Sequence, residues 1–443
     1  MTETRFLRRG LTIASCVFGL ASFATAADLA KPVTFARDVA PILQEKCQNC
    51  HRAGQIAPMS LVTYEETRPW AKAIKERVVT RNMPPWHLDK TVGIQRFQND
   101  FSLSDEQISV IARWVDAGAP LGDPKDMPPP KQWPKDDGWQ LAKEFGREPD
   151  LVLKSEPYTM PAKGQDVWFK PLTAIPIHEP RWVKAVEIRP ATLQGRKITH
   201  HALAYLQQEE PGTNTGIASQ GLLMEWAVNK SYDIYRPNTG KLIVPGARIW
   251  WEMHYHAEGE EITDHVELAV YFYPQGEEPK YRTYLTAFGA TPGNPGFGKL
   301  DIPPNSIAET EGYTVLRSPA RLENFQPHMH LRGKAMLMEA ILPDGTKRTL
   351  SYVDHFNFNW MTNYIYADDA APVLPKGTII HVVAWHDNTA NNKNNPDPDQ
   401  WVGWGDRTVD EMAHAWVNVT YLSDEDYADW VAKHAPSGPR AAR

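Results

Sequence analysis

Two kinds of donor stand out by residue type and spacing. Cys47-Gln48-Asn49-Cys50-His51 places two thiols three positions apart with an imidazole beside the second. That is the attachment signature of a c-type haem, in which two thioethers fix the porphyrin and the adjacent His supplies an axial iron ligand. A redox dithiol would not need His51, and a zinc site would lack its second pair. Further on, Phe325-Gln326-Pro327-His328-Met329-His330-Leu331-Arg332-Gly333-Lys334 carries a His-x-His. In an extended chain the period of two turns both rings to one face, where they can grip one metal ion. His200-His201, His254-Tyr255-His256 and Met412 add donors enough for a second metal site.

Spacing also sets conditions. His200 and His201 are neighbours and would point to opposite faces of a regular strand, so a shared metal requires a bulge or a strand end. His254 and His256 face one way, and either completes a three-His set. His328 and His330 need a third donor. Met412, in Asp410-Glu411-Met412-Ala413-His414-Ala415-Trp416, leads into the final strand and is otherwise a core methionine. For the haem, a distal thioether favours Fe(II). Met83 in Arg81-Asn82-Met83-Pro84-Pro85-Trp86 suits that role because the prolines keep the backbone extended. His87 is an alternative, and Met59 follows His51 too closely to reach the opposite haem face with ease.

The elements that must position these donors fall into a multidomain chain: a small all-α cytochrome c domain followed by two all-β, jelly-roll-like sandwiches. Helical spacing covers Phe35–Cys47, Glu66–Thr80 and Ser104–Ala117, the last opening with a Ser104/Gln107 capping box and closing at Gly118. These place the haem domain at 27–118. Residues 119–150, with Pro120, Pro124, Pro128, Pro129, Pro130 and Pro134, read as a semi-rigid spacer. Beyond Asp150, alternating or β-branched runs take over: Trp182–Ile188, Ala202–Leu206, Arg248–His256, Val266–Tyr273, Ala335–Leu342, Thr378–Trp385 and Ala413–Leu422. The Gly- and Pro-rich Gly289–Gly298 divides them into sandwiches at 151–290 and 291–430, each with one donor cluster, before a tail at 431–443.

At 443 residues the chain has length for about three domains. Its 42% hydrophobic content supplies their cores, and 37 Pro with 16 Trp suits turn-rich β structure. Residues 1–26 read as an export signal: Arg5, Arg8 and Arg9, an apolar run from Leu11 to Phe23, then Ala24-Thr25-Ala26. Cleavage after Ala26 leaves Cys47 and Cys50 as the remaining thiols, so no disulfide framework is expected. It also removes three Arg against one Glu, making the formal charge two units more negative than −7. Nothing in this balance favours nucleic acid or anionic lipid. The first apolar run is too short to span a membrane and no later one approaches about 20 residues, so a periplasmic or secreted protein without a membrane span is expected.

The order His200-His201, then His254 in a His-Tyr strand, then His328-x-His330 with Leu331-Arg332-Gly333-Lys334, then Asp410-Glu411-Met412 resembles the copper type II, ascorbate-dependent monooxygenases. That is the family of peptidylglycine α-hydroxylating monooxygenase and dopamine β-monooxygenase. The resemblance covers roughly Leu151 to Leu422. It implies two jelly-roll-like sandwiches facing each other over a solvent-filled cleft. It implies an electron-transferring copper at His200, His201 and His254, with no counterpart for His256, and a dioxygen-binding copper at His328, His330 and Met412. Two imidazoles and a thioether form a soft set that stabilises Cu(I), whereas three imidazoles suit a centre cycling between both states.

The resemblance thus implies two coppers beside one covalent haem c, with O2 and a small organic substrate as partners and hydroxylation of a C–H bond as the activity. Two departures shape that expectation. The family takes electrons from ascorbate, but this chain carries its own haem, so an external donor would reduce the haem and the haem the three-His site. Peptidylglycine enzymes grip a carboxylate through positions matching Gln326, His414 and Trp416, which lack the charge to do so here, and peptide amidation is not expected. A non-catalytic haem and copper electron-transfer or copper-binding protein is the alternative. The Asn- and Asp-rich 387–400 stretch stands as a loop over a substrate cleft, a calcium loop or a plain surface loop, and His355, His381 and His386 as structural.

Overall fold

The computed structural model describes residues 32–53, 55, 57–133, 138–209, 221–227 and 230–434. The expected export segment and residues 435–443 of the tail lie outside them. Among the described residues no helix is long and apolar enough to cross a membrane. The chain is mostly β, with a group of helices between Phe35 and Asp116 and a further one at Asp424–His434.

Those helices follow local chemistry. Phe35–Val39 is a π turn whose N-cap Thr34 accepts the Arg37 N–H, and it runs into Ala40–Lys46. The expected Glu66–Thr80 helix is interrupted: Tyr64–Thr67 and Ala71–Val79 are α-helical, and a 3₁₀ turn at Arg68–Trp70 holds Pro69, which has no N–H to give. The Ser104/Gln107 capping box forms with both of its bonds at the start of Asp105–Asp116. Phe35, Leu43, Ile74, Val78, Ile111 and Trp114 close a shared apolar core.

Two stretches behave differently from their sequence reading. Residues 85–101 leave the helices and dock on the C-terminal β structure, because Trp86, Leu88 and Phe97 find their apolar partners there. The Asp89, Ile94 and Gln98 N–H groups donate to Tyr352 O, Leu350 O and Ile365 O at 2.8, 2.9 and 2.8 Å. The 119–150 stretch is docked at both ends rather than free. Phe35 and Ala36 donate to Pro120 O and Leu121 O, each at 2.9 Å. At the other end lies a short helix, Gln140–Phe145, with Leu141 buried against Ala185, Ala269 and Tyr271. The Glu187 carboxylate takes its free N–H groups at Gln140 and Leu141, at 3.0 and 2.9 Å.

The β region has two cores. One lies around Val186, Ile188, Ala202, Ala204, Trp251, Met253 and Leu268. The other lies between a four-stranded sheet, ordered Ile307–Val315, Ile379–Asp387, Gly333–Ile341 and Lys347–Val353, and the strands Tyr281–Ala290, Asn324–His328 and Ala413–Tyr421. One sheet joins the two cores. Arg248–Tyr255, Thr199–Gln207, Gly221–Trp226, Tyr281–Ala290, Ala413–Tyr421 and Asn324–His328 pair in that order, all antiparallel. Alternation sorts their side chains. Ala202, Ala204, Trp251, Met253, Phe325, Ala413 and Ala415 fill the cores, so the intervening His201, His254, Gln326, His328 and His414 turn to the opposite face. Leu203, Tyr205 and Trp416 meet on that face as a small apolar cluster of their own.

Candidate metal centres

His200 and His201 share a site through a bulge. The register pairs His254 with His201 and Tyr255 with Thr199, so His200 is the extra residue opposite the shift. His200, His201 and His254 each bring a ring nitrogen within 4.8 Å of the other two. The His200 and His201 Nδ1 atoms lie 3.1 Å apart. The rings cross at 62° to 69°, so lone pairs lying in the three ring planes can converge on one ion.

His254 is the most firmly held of the three. Its Nε2 pairs with Asp166 Oδ2 at 2.9 Å, and its ring stacks on Trp168 at 4.0 Å, because Trp168 is its cross-strand partner. The carboxylate fixes the proton on Nε2 and leaves Nδ1 as acceptor; that buried Nδ1 has no hydrogen-bond partner. Burial, then His254, lowers the His200 pKa to about 4; burial also lowers His201 and His254, the latter against the pull of Asp166. Neutral imidazoles with a free lone pair are what a metal requires. His256 stands apart, its Nε2 on Glu258 at 2.8 Å near the surface, so His254 and not His256 completes the cluster.

The second set lies further along the same sheet face. His328 pairs with His414 in register, the last pair of that ladder; His330 lies two residues past the end of its strand and Met412 one residue before the start of the other. The His328 and His330 rings are 5.5 Å apart and cross at 76°. His330 Nδ1 donates to Asp410 O at 3.0 Å, which leaves Nε2 for a ligand, and the buried His328 Nδ1 has no partner. Burial pushes both pKa values down.

The turn that carries these donors is pinned by Glu411, whose carboxylate accepts the His330 and Arg332 N–H groups at 2.8 and 2.6 Å. Burial raises the Glu411 pKa to about 8, against those donors and the Arg332 charge. Arg332, itself fully buried, reaches Asn388 Oδ1 at 2.7 Å, Val409 O at 2.9 Å and Asp397 O at 3.3 Å. The 387–400 loop is thereby fastened beneath the site. Asp387 Oδ1 is engaged with Thr389 and Asn388 with Pro303 O and Gln400 O, so these donors serve the loop itself.

Three residues here carry no local sequence signal. Trp168 comes from a separate short strand, Val167–Phe169, and Asp166 immediately precedes it. Phe358 comes from a loop, stacks on His200 at 4.8 Å and 17°, and meets His330 edge-on at 6.1 Å. The His200 and His330 rings are therefore no further apart than those two distances together. His414 is buried with both ring nitrogens unpartnered, and burial lowers its pKa to about 3. It stacks on His328 at 4.8 Å and 23°, and near-parallel rings at that spacing cannot both aim in-plane lone pairs at one ion. His414 therefore adds no ligand to His328 in this arrangement. His386 Nε2 donates to Met412 O at 3.1 Å, just before the final strand, and His381 lies between Glu339 and Glu311, each at 2.8 Å.

At the N-terminal end, Cys47 and Cys50 are not joined in a disulfide. His51 Nδ1 lies 3.3 Å from Met59 O, which fixes the ring and leaves Nε2 to act as a ligand. This donor set fits a covalent haem. Met83 follows the Ala71–Val79 helix, its N–H donating to Arg77 O at 3.1 Å, and is half-buried, as is Met59. His87 turns toward the C-terminal β structure, where its N–H donates to Tyr364 Oη at 3.2 Å.

No family model matches the chain, and no curated protein is similar to it. Among solved structures, the major capsid protein P2 from Bacteriophage PM2 aligns over 62% of this chain and 99% of its own, at 12% identity and a TM-score of 0.26. PNGF-II aligns over 61% of this chain and 66% of its own, at 10% identity and a TM-score of 0.25. Likeness at this level carries no argument about either fold or activity.

Proposed function

We propose that the chain is an exported, copper-dependent monooxygenase that hydroxylates a C–H bond of a small organic substrate with O2, taking electrons through its own c-type haem. The observation that supports this most is the grouping of His200, His201 and His254, whose buried Nδ1 is unpartnered, with the His328 and His330 rings 5.5 Å apart as a second pair; Met412 joins that pair as the thioether the resemblance implies. Copper at these positions would supply the one-electron steps that dioxygen activation needs.

The residues have separable tasks. Asp166 and Trp168 hold His254 in one tautomer and orientation. Glu411 and Arg332 fix the turn from which His330 projects. Gln326, two residues before His328, is held by Glu225 Oε2 at 3.0 Å and by Lys230 Nζ at 2.9 Å. Lys230 faces Glu225 at 3.7 Å, so its charge is balanced within the fold and does not offer a carboxylate grip to a substrate. A neutral substrate fits this surrounding better than an anionic one.

Elemental analysis of chain matured with haem and loaded with copper tests the reading. About one iron and two coppers are expected, together with O2 uptake that rises with one or more members of a panel of small organic compounds. Metal binding without substrate-dependent uptake would instead identify an electron-transfer protein, and a chain that binds no copper would overturn the proposal.

A further inference from the structure

We propose that residues 356–362 conduct electrons from the haem unit to the three-His centre, with Phe358 as the terminal contact. This rests on the reading above that haem and copper are both bound.

One end of the segment is fastened to the stretch that follows Met83. The buried Thr362 donates from Oγ1 to Pro85 O at 3.1 Å, two residues beyond Met83. Tyr364 receives the His87 N–H and meets the Trp86 ring edge-on at 4.7 Å, while Asn363 O accepts the Asn99 side-chain amide at 2.7 Å. Between the ends the backbone is tightly folded: Trp360 N–H donates to Asn357 O at 2.9 Å, and Asn359 N–H to Asn357 Oδ1 at 3.0 Å. The Met361 carbonyl accepts Gln326 Nε2 at 3.4 Å, which ties the segment to the His328 strand.

The other end is the Phe358 ring lying on His200. Five covalently linked residues, one hydrogen bond and one ring stack thus join Pro85 to His200. The edge-on approach to His330 is longer and turned by 82°, so the first acceptor is the three-His set. The docking of 85–101 acquires a purpose in the same way: it holds the haem unit against the segment that reaches His200. The step moves one electron and no proton. Haem iron passes from ferrous to ferric as copper at His200, His201 and His254 passes from cupric to cuprous, and a one-electron donor outside the chain restores the haem.

The test uses the full-length, haem-bearing chain loaded with copper(II). Without oxygen, the haem is reduced by a light flash and its absorbance follows reoxidation; copper-free chain gives the background. Wild type is expected to show a fast copper-dependent phase. Phe358→Ala should lose that phase while copper content and the haem spectrum stay as in wild type, Phe358→Leu should retain part of it, and Thr362→Val should slow it from the other end. If Phe358→Ala and Thr362→Val both reoxidise at the wild-type rate, the route is overturned although the metal assignment stands. If wild-type haem passes no electron to copper, the functional reading itself is overturned, and the route with it.

Discussion

Removing the Asp166 carboxylate should weaken copper binding at the three-His set without dismantling it. Asp166 Oδ2 accepts from His254 Nε2 at 2.9 Å, and nothing else holds the proton on that nitrogen among the contacts described above. In Asp166→Ala the tautomer with the proton on Nδ1 becomes accessible, and that tautomer cannot bind a metal through Nδ1, the nitrogen that Asp166 leaves free. Loss of such an outer partner typically costs about 10- to 100-fold in affinity, or about 1.4 to 2.7 kcal/mol. The Asp166 side chain is 42% exposed and therefore partly screened, and the Trp168 stack at 4.0 Å keeps the His254 ring in place. Both place the expected loss near the lower end, about tenfold. Asp166→Asn, which keeps an acceptor oxygen without the charge, should lose less. The assay is competition against a chromophoric copper chelator, performed in a Met412→Ile background so that the first set dominates the titration. Asp166→Ala binding copper as tightly as its parent would refute the account of how His254 is oriented.

Three further outcomes are expected. Met412→Ile should lower copper content by about one per chain, since an apolar side chain of similar volume has no thioether, and leave the haem absorbance in place; unchanged copper would show that the second set is wrongly drawn. Gly312→Ala should destabilise the fold by about 3 kcal/mol or more, because a Cβ there would stand 2.1 Å from the Gly289 carbonyl carbon and 2.5 Å from Ala290 N; urea unfolding measures this, and an unchanged midpoint would contradict the close sheet crossing. Lys241 is buried with Nζ on Leu222 O and Leu223 O, and burial lowers its pKa from 10.5 to about 7 against the pull of Asp233. Between those values the unfolded chain binds more protons, so this residue makes stability fall as pH drops from 10.5 toward 7, by up to about 5 kcal/mol. Lys241→Met should therefore gain stability over wild type as pH is lowered through that window, and a pH-independent difference in urea midpoints would refute it.

What could be read in the sequence follows what is local. The need for a bulge at His200 came from the period of two alone, and the register supplies that bulge. The same period put His328 and His330 on one face. It could not choose between His254 and His256, because the choice lies with Asp166 and Glu258, and only the former is brought to the cluster by strand pairing. Asp166 and Phe358 were invisible for a related reason: each reaches its histidine across a long stretch of chain and belongs to no periodic run. Residues 85–101 display Trp86, Leu88, Phe97 and Phe101 plainly as apolar side chains. Their adjacency to the helices suggested the wrong partner surface, since apolar character specifies burial but not against what.

The continuous sheet changes how the two histidine sets relate. In two separate sandwiches the sets would face each other across solvent, and their separation would vary with any movement between the sandwiches. Here Tyr281–Ala290, a strand of the second core, pairs with Gly221–Trp226 at Leu285↔Leu222 and with Thr239–Ile243 at Tyr281↔Thr239 and Arg282↔Gly240, which joins it to strands of the first core. Strands lie about 4.8 Å apart, so the four steps from the His201 strand to the strand that leads to His330 would span about 19 Å in a flat sheet. The Phe358 ring nevertheless touches His200 and approaches His330 at 6.1 Å. Curvature of the sheet, which arises from the right-handed twist of its strands, must therefore tilt the two donor faces toward one another. The half-buried Phe358 ring is the side chain that lies against both sets.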